Sequence, residues 1–171
     1  DLSGIDIHEE TTAILPSKEW KENRFKESWW RGDTISVGIG QGYWTATPIQ
    51  IANATNILVN KGVNHPPHLA QVAKKEDDVT QINNEEKPPV VLNNPDNWRI
   101  AIDAMHNTVT KVTGTAHKAF KGVNYDPAGK TGTAQVVSIA QGEKYDAESL
   151  KERQRDNAIY VGFAPYNNPQ I

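Results

Sequence analysis

Lys130, Thr131 and Thr133 carry the chemistry in Ala128-Gly129-Lys130-Thr131-Gly132-Thr133-Ala134-Gln135-Val136, a stretch whose small and β-branched residues otherwise suit a strand. Along an extended backbone Lys130, Gly132 and Ala134 point one way, and Thr131, Thr133 and Gln135 the other. The first set is small apart from its lysine. Small residues let a helix approach closely, so the expectation is an ammonium held near that contact in low dielectric, where it favours a neighbouring anion or hydroxyl oxygen. The threonine hydroxyls can donate to a carboxylate, and extended backbone offers N–H groups to a developing oxyanion. That is a site-like arrangement. The plainer reading is a threonine-rich edge strand with a solvated lysine, since a triplet as short as Lys-Thr-Gly recurs by chance.

Other residue types give weaker signals. Gly38-Ile39-Gly40-Gln41-Gly42 precedes a helix pattern and invites phosphate binding, but a dinucleotide fingerprint needs glycine where Tyr43 stands and an acidic residue on a following strand. Close backbone packing is the favoured reading. His65 and His68 are three apart with two prolines between them, which prevents a helix from aiming both at one metal; surface histidines are expected. His8, His106 and His117 have no companion spacing and receive no ligand or acid–base role. Asp77-Asp78 and Glu85-Glu86 lie in polar stretches and read as solvated. Zero cysteines exclude a disulfide framework and a thiolate zinc site.

The 171 residues suffice for one globular domain or a large piece of one. A net charge of −3 with no basic stripe argues against nucleic acid as a partner. No window reaches about 18 apolar residues and no basic-then-apolar leader opens the chain, so any anchor or export signal is expected outside it. Both ends read as cut: the first residue is Asp1, and Ile171 follows Tyr166-Asn167-Asn168-Pro169, a turn that normally leads into another strand.

The elements that must position Lys130 and its neighbours follow from pattern. Residues 1–34 read as irregular with one short helix near Ser17 to Phe25; Trp20, Trp29 and Trp30 there suit a partner surface or, as favoured, anchors for a long loop. A helix opens at Thr47 as N-cap, with Pro48 in the first turn, Gln50 completing a capping box and Gly62 closing it. Ile51, Ala54, Ile57 and Leu58 form its buried face. From Asn64 to Pro89 the chain is polar and predicts loop or an exposed hairpin, Leu69 to Val72 with Val79 to Ile82. Asn94 and Pro95 open a second helix with Trp98, Ile102, Met105 and Val109 inward, and a helical turn is expected over Thr115 to Phe120. Strands follow at Gly129 to Ser138 and Ala158 to Ala164, the latter stopped by Pro165, and the link Asp146 to Asp156 looks helix-prone. Two strands are marginal alone, so a wider sheet is expected.

Four separated motifs then stand in order. They are Gly32-Asp33-Thr34-Ile35 with Val37-Gly38-Ile39-Gly40-Gln41-Gly42-Tyr43-Trp44-Thr45-Ala46-Thr47-Pro48-Ile49-Gln50; Gly114-Thr115-Ala116-His117-Lys118; the Lys130 stretch; and Gly162-Phe163-Ala164-Pro165-Tyr166-Asn167-Asn168-Pro169-Gln170. In these the chain resembles the C-terminal part of the transpeptidase domain of the class B penicillin-binding proteins, most closely their cell-elongation branch. Lys-Thr-Gly is one of three signatures of the penicillin-recognising serine enzymes. Its companions are missing: none of Ser3, Ser17, Ser28, Ser36, Ser138 and Ser149 has lysine three residues on or asparagine two residues on.

The resemblance implies an incomplete α/β (α+β) fold, helices flanking an antiparallel sheet, over residues 1–171. It implies that the parent is a serine-type D,D-transpeptidase that cross-links peptidoglycan stem peptides through an acyl-enzyme and is acylated by β-lactams. Catalytic Lys130 would organise the proton network around the serine of the absent Ser-x-Asn segment. Thr131, Gly132 and Thr133 would bind substrate, the two hydroxyls holding the D-Ala-D-Ala carboxylate and the Thr133 N–H facing the oxyanion. No metal or organic cofactor is implied. Cell-elongation membrane proteins are implied partners, and the periplasmic face of the bacterial inner membrane the location, through an anchor outside this chain. Without the nucleophile, the isolated chain is expected to be inactive. A β-lactamase-like hydrolase, a penicillin-sensing domain and a non-catalytic binding module are the alternatives.

Overall fold

The computed structural model describes residues 2–75, 78–81, 87–136 and 146–170. Helix α1 spans Lys18–Phe25, capped by the Ser17 hydroxyl, which accepts from the Trp20 N–H at 3.0 Å, and ended by Lys26 in the left-handed region (φ 59°). Helix α2, Arg31–Gly38, was not foreseen: a glycine and a mixed polar sequence hide it. Asp33 accepts from the Trp30 N–H at 2.8 Å and so ties the start of α2.

Helix α3, Pro48–Val59, carries the expected capping box, Thr47 N–H to Gln50 Oε1 at 2.9 Å and Gln50 N–H to Thr47 Oγ1 at 3.4 Å. Gly62, at φ 102°, donates to the Ile57 carbonyl and closes the helix as read. Its inward face differs in one residue. Ile51, Ile57 and Leu58 are half-buried and Val59 is buried, whereas Ala54 is exposed.

The exposed hairpin consists of β1, Val72–Lys75, and β2, Asp78–Gln81, paired Val72 to Gln81. Its first strand starts three residues later than expected. The Leu69 and Ala70 N–H groups donate to the Asp6 carboxylate at 2.7 and 2.9 Å and are therefore unavailable to a ladder there. Ile82, Asp77 and Glu85-Glu86 lie outside the described residues.

Helix α4, Asp96–Thr110, turns Trp98, Ile102, Met105 and Val109 inward as its spacing predicts, the last two buried. Residues 115–120 form successive hydrogen-bonded turns that include the expected helical turn, closed by the Phe120 N–H donating to the Ala116 carbonyl at 3.3 Å, whereas the link before the last strand holds a single 3-10 turn, Glu152–Gln154, not a helix. Strands β3, Ala128–Ala134, and β4, Asn157–Phe163, pair antiparallel with Ala128 opposite Phe163 and Thr131 opposite Tyr160. β3 stops at Ala134, and Ser138 lies outside the described residues.

Ala128 and Phe163, directly opposite each other, join Val59 of α3 and Met105 of α4 in the core, with Leu58, Ile102, Val161 and Tyr166 packed around them. The architecture is the expected α+β one, with α3 and α4 against one face of the β3–β4 sheet. Among the described residues that sheet has two strands, leaving the other edge of β3 without a ladder partner. No helix among them is long and apolar enough to cross a membrane.

Candidate functional site

The first two residues of β3 anchor it and the rest serve the surface. Ala128 is 0% exposed beneath α4, and Gly129 is buried because the Tyr160 side chain of β4 lies across it. The close helix approach expected on the face of Lys130, Gly132 and Ala134 therefore occurs at Ala128, further back on the same strand face. From Lys130 the strand emerges, and its unpaired edge lines a cleft of about 420 Å³.

The opposite wall is the turn Ile39-Gly40-Gln41-Gly42 with Trp44, Thr45 and Ala46, while Ile51 of α3 and Ile159 of β4 supply an apolar lining. Gly40 and Gly42 have φ of 76° and 73°, a conformation glycine adopts without steric cost. Thr45 and Ile14 exchange backbone hydrogen bonds of 2.9 and 3.1 Å, which fixes the far side of that wall. The glycine turn follows the C-terminal end of α2 and is separated from α3 by Tyr43 to Thr47, so it does not form the helix N-terminus that would attract phosphate. Close packing is met only at Gly42, where a Cβ would fall 3.2 Å from the Ser36 Cβ; beside Gly38 and Gly40 the space is open, so the close backbone packing expected of the whole stretch does not occur.

The structure brings all four candidate residues, Lys130, Thr131, Gly132 and Thr133, to this cleft. Lys130 is exposed, not held in the low-dielectric contact foreseen for it. Its ammonium donates to the Thr131 carbonyl at 2.5 Å, and among the described residues it meets no carboxylate at ion-pair distance. Thr131 is half-buried, with its hydroxyl 2.8 Å from that of Thr115; Thr133 is exposed. A Cβ on Gly132 would have as its nearest neighbour the Ile159 Cβ at 3.8 Å, so the strand is open at that point. Because β4 occupies one edge, alternate N–H groups of β3 point from the other toward the cleft. The arrangement offers a cation, two hydroxyls and backbone donors along one line, suited to a ligand bearing a carboxylate and a reactive carbonyl.

The histidines serve elsewhere. His106 Nε2 lies 2.7 Å from Asp126, and its ring stacks on Tyr166 at 4.0 Å; Tyr166 in turn donates to Asp103 at 2.6 Å. That carboxylate raises the Tyr166 phenol above its ordinary value. The network joins the C-terminal turn to α4. His117 Nδ1 contacts the Val109 carbonyl at 3.1 Å, and His8, His65 and His68 are exposed. Among the described residues no group of three His, Asp or Glu side chains is placed to hold a metal. Of the tryptophans, Trp20 packs edge-on against Phe25 and beside Tyr43, Trp29 donates to Thr34 at 2.8 Å, and Trp30 is 66% exposed. Two of the three act as loop anchors.

Sequence reasoning gave no role to Thr115 or to the Trp44–Ala46 wall. Both belong to motifs quoted for the resemblance, but only the fold sets them beside β3.

Against known families, the profile described as the penicillin binding protein transpeptidase domain matches residues 2–171. The peptidoglycan D,D-transpeptidase MrdA of Escherichia coli is 44% identical over 169 residues, covering 99% of this chain and 27% of that protein. The protein of the same name from Haemophilus influenzae is 46% identical over 174 residues, covering 99% and 26%. This chain thus spans about a quarter of the length of these relatives. Among solved structures, Pseudomonas aeruginosa PBP2 in complex with WCK 5153 superposes with a TM-score of 0.73 at 38% identity, covering 94% of this chain and 32% of that one. The Helicobacter pylori PBP2 complexed with MreC gives 0.78 at 28% identity, covering 99% and 28%.

Proposed function

This chain belongs to the penicillin binding protein transpeptidase domain family, and from that premise we propose that it is the C-terminal portion of the catalytic domain of a peptidoglycan D,D-transpeptidase of the penicillin-binding protein 2 kind. The longer protein cross-links stem peptides. A serine outside this chain attacks the carbonyl of the penultimate D-alanine, its proton passing to a neighbouring base. The tetrahedral oxyanion is held by backbone N–H groups, that of Thr133 among them. Collapse breaks the peptide bond, and the terminal D-alanine leaves as the amine after taking up a proton. An amine of a neighbouring strand then attacks the acyl ester and restores the serine.

In this scheme Lys130 stabilises the anionic character that develops around the serine network. Thr131 and Thr133 donate to the terminal carboxylate, and Gly132 keeps the strand flat enough for a peptide or β-lactam to lie along it. The observation that carries the reading is the unpaired β3 edge, with all four residues on a cleft of about 420 Å³. Relatives named as transpeptidases favour transfer to an amine over the hydrolysis of a β-lactamase. We place the protein at the periplasmic face of the inner membrane, anchored by a segment outside this chain. Its proposed partners are cell-elongation membrane proteins, by analogy with the Helicobacter relative solved with MreC.

The test is to label the full-length protein with a fluorescent penicillin and map the modified peptide. One adduct per molecule is expected, on a serine of a Ser-x-x-Lys segment. A folded protein that takes no label, or a label on one of the six serines of this chain, would overturn the assignment.

A further inference from the structure

The geometry points to Thr115 as a positioning residue for the substrate carboxylate, acting through Thr131. This rests on the proposed role of Thr131 as a carboxylate donor.

The two hydroxyl oxygens lie 2.8 Å apart across 16 residues of chain. A threonine hydroxyl has one proton to give. If Thr131 gives that proton to a carboxylate in the cleft, its bond with Thr115 must run the other way, with Thr115 donating into a lone pair of Thr131. Thr115 then turns the Thr131 proton toward the cleft before substrate arrives and, by polarising that hydroxyl, makes it a stronger donor.

Thr115 is not a loosely placed surface threonine. Ala116, next to it, is 3% exposed and its N–H donates to the Thr108 carbonyl at 3.2 Å. Gly114 donates to the Lys111 carbonyl at 2.8 Å and passes so near α4 that a Cβ would fall 2.1 Å from the Thr108 oxygen. His117 reaches the Val109 carbonyl at 3.1 Å. At the far end of the same turns Phe120 packs on Tyr160, with ring centres 5.1 Å apart, and Tyr160 is the β4 residue directly opposite Thr131. Residues 111–120 are thus fixed to the end of α4 and docked on the sheet at two points, one of them the Thr115–Thr131 pair.

The experiment measures second-order acylation rates of the full-length protein by a penicillin and by its methyl ester, which lacks the carboxylate. Thr115→Val should slow acylation by the acid about fivefold, the scale of one hydrogen bond, and leave the ester rate unchanged. Thr115→Ser should behave as wild type, and Thr115→Val with Thr131→Val should be no slower than Thr131→Val alone. Equal losses on acid and ester, or losses that multiply in the double variant, would overturn the proposal. So would a Thr115→Val rate at the wild-type value while Thr131→Val is slow on the acid alone, a result that spares the assignment of Thr131. If Thr131→Val leaves the acid-to-ester ratio unchanged, the carboxylate role of Thr131 falls and this inference with it.

Discussion

A methyl group at Gly129 would lie 2.1 Å from the Tyr160 hydroxyl and 2.7 Å from the Val161 carbonyl oxygen, and the second of these is backbone that cannot swing away. At Gly132 the nearest atom is 3.8 Å away, an ordinary contact. The two glycines of one strand thus have different reasons to be there: Gly129 lets Tyr160 lie across the sheet, and Gly132 leaves room for a ligand. Gly129→Ala should cost about 1–3 kcal/mol of stability through overpacking. Gly132→Ala should melt within about 0.5 kcal/mol of wild type yet slow acylation at least about tenfold, because the added methyl narrows the cleft. Thermal melts beside penicillin acylation rates check both, and a Gly132→Ala protein acylated at the normal rate would show that no ligand lies along that part of β3. Lys-Thr-Gly was legible in the sequence as a strand with chemistry on it. The exposure of Lys130 was not, because the alternation of side chains does not tell which turn of the strand the helix covers.

At the scale of elements, local signals were legible and distant ones were not. Thr47, Pro48 and Gln50 specify the start of α3 within four residues, and the spacing of Trp98, Ile102, Met105 and Val109 specifies the inward face of α4. The start of β1 depended on Asp6, more than 60 residues from the N–H groups it takes, and α2 depended on a clamp that no local pattern reveals. That clamp is Lys21 of α1, 2% exposed, donating to Asp33 of α2 at 2.7 Å, with its ammonium 5.8 Å from the centre of the Tyr43 ring. Tyr43 adjoins the glycine turn, so the clamp sets one wall of the cleft. The bond it donates to Asp33 holds the Lys21 ammonium above the usual lysine value; Lys21, and then the Trp30 N–H, hold Asp33 below the usual carboxylate range. The pair therefore contributes fully between about pH 4 and about pH 10, the ordinary values of the two groups. Its contribution is lost as pH falls through the lowered Asp33 value, and as pH rises through the raised Lys21 value. Asp33→Asn should lower the Tm at neutral pH, with the gap to wild type closing below about pH 4 as Asp33 itself takes up a proton. A gap of constant size down to about pH 2 would mean that the charge on Asp33 does not matter.

Over the whole molecule, the described residues bury a small core, with no large side chain fully enclosed, while Ile35 and Ile39 of the α2 region stand 68% exposed, Ile39 on the cleft. Such apolar surface, together with the bare edge of β3, supports the proposal that this chain supplies two walls of a site and draws the nucleophile from the remainder of a longer protein. Family membership covers nearly the whole chain and about a quarter of its relatives' length, in keeping with that division. The measurement that bears most directly on it is the acylation rate of the full-length protein by a labelled penicillin, wild type against Lys130→Ala, with Thr131→Val alongside. Lys130→Ala should be slower by about a hundredfold or more, near 2.7 kcal/mol of transition-state stabilisation, and Thr131→Val by about tenfold, as for one hydrogen bond to a charged group. Lys130→Ala protein that melts like wild type and acylates at the wild-type rate would contradict the account, leaving the Lys-Thr-Gly strand a structural edge and placing the chemistry elsewhere.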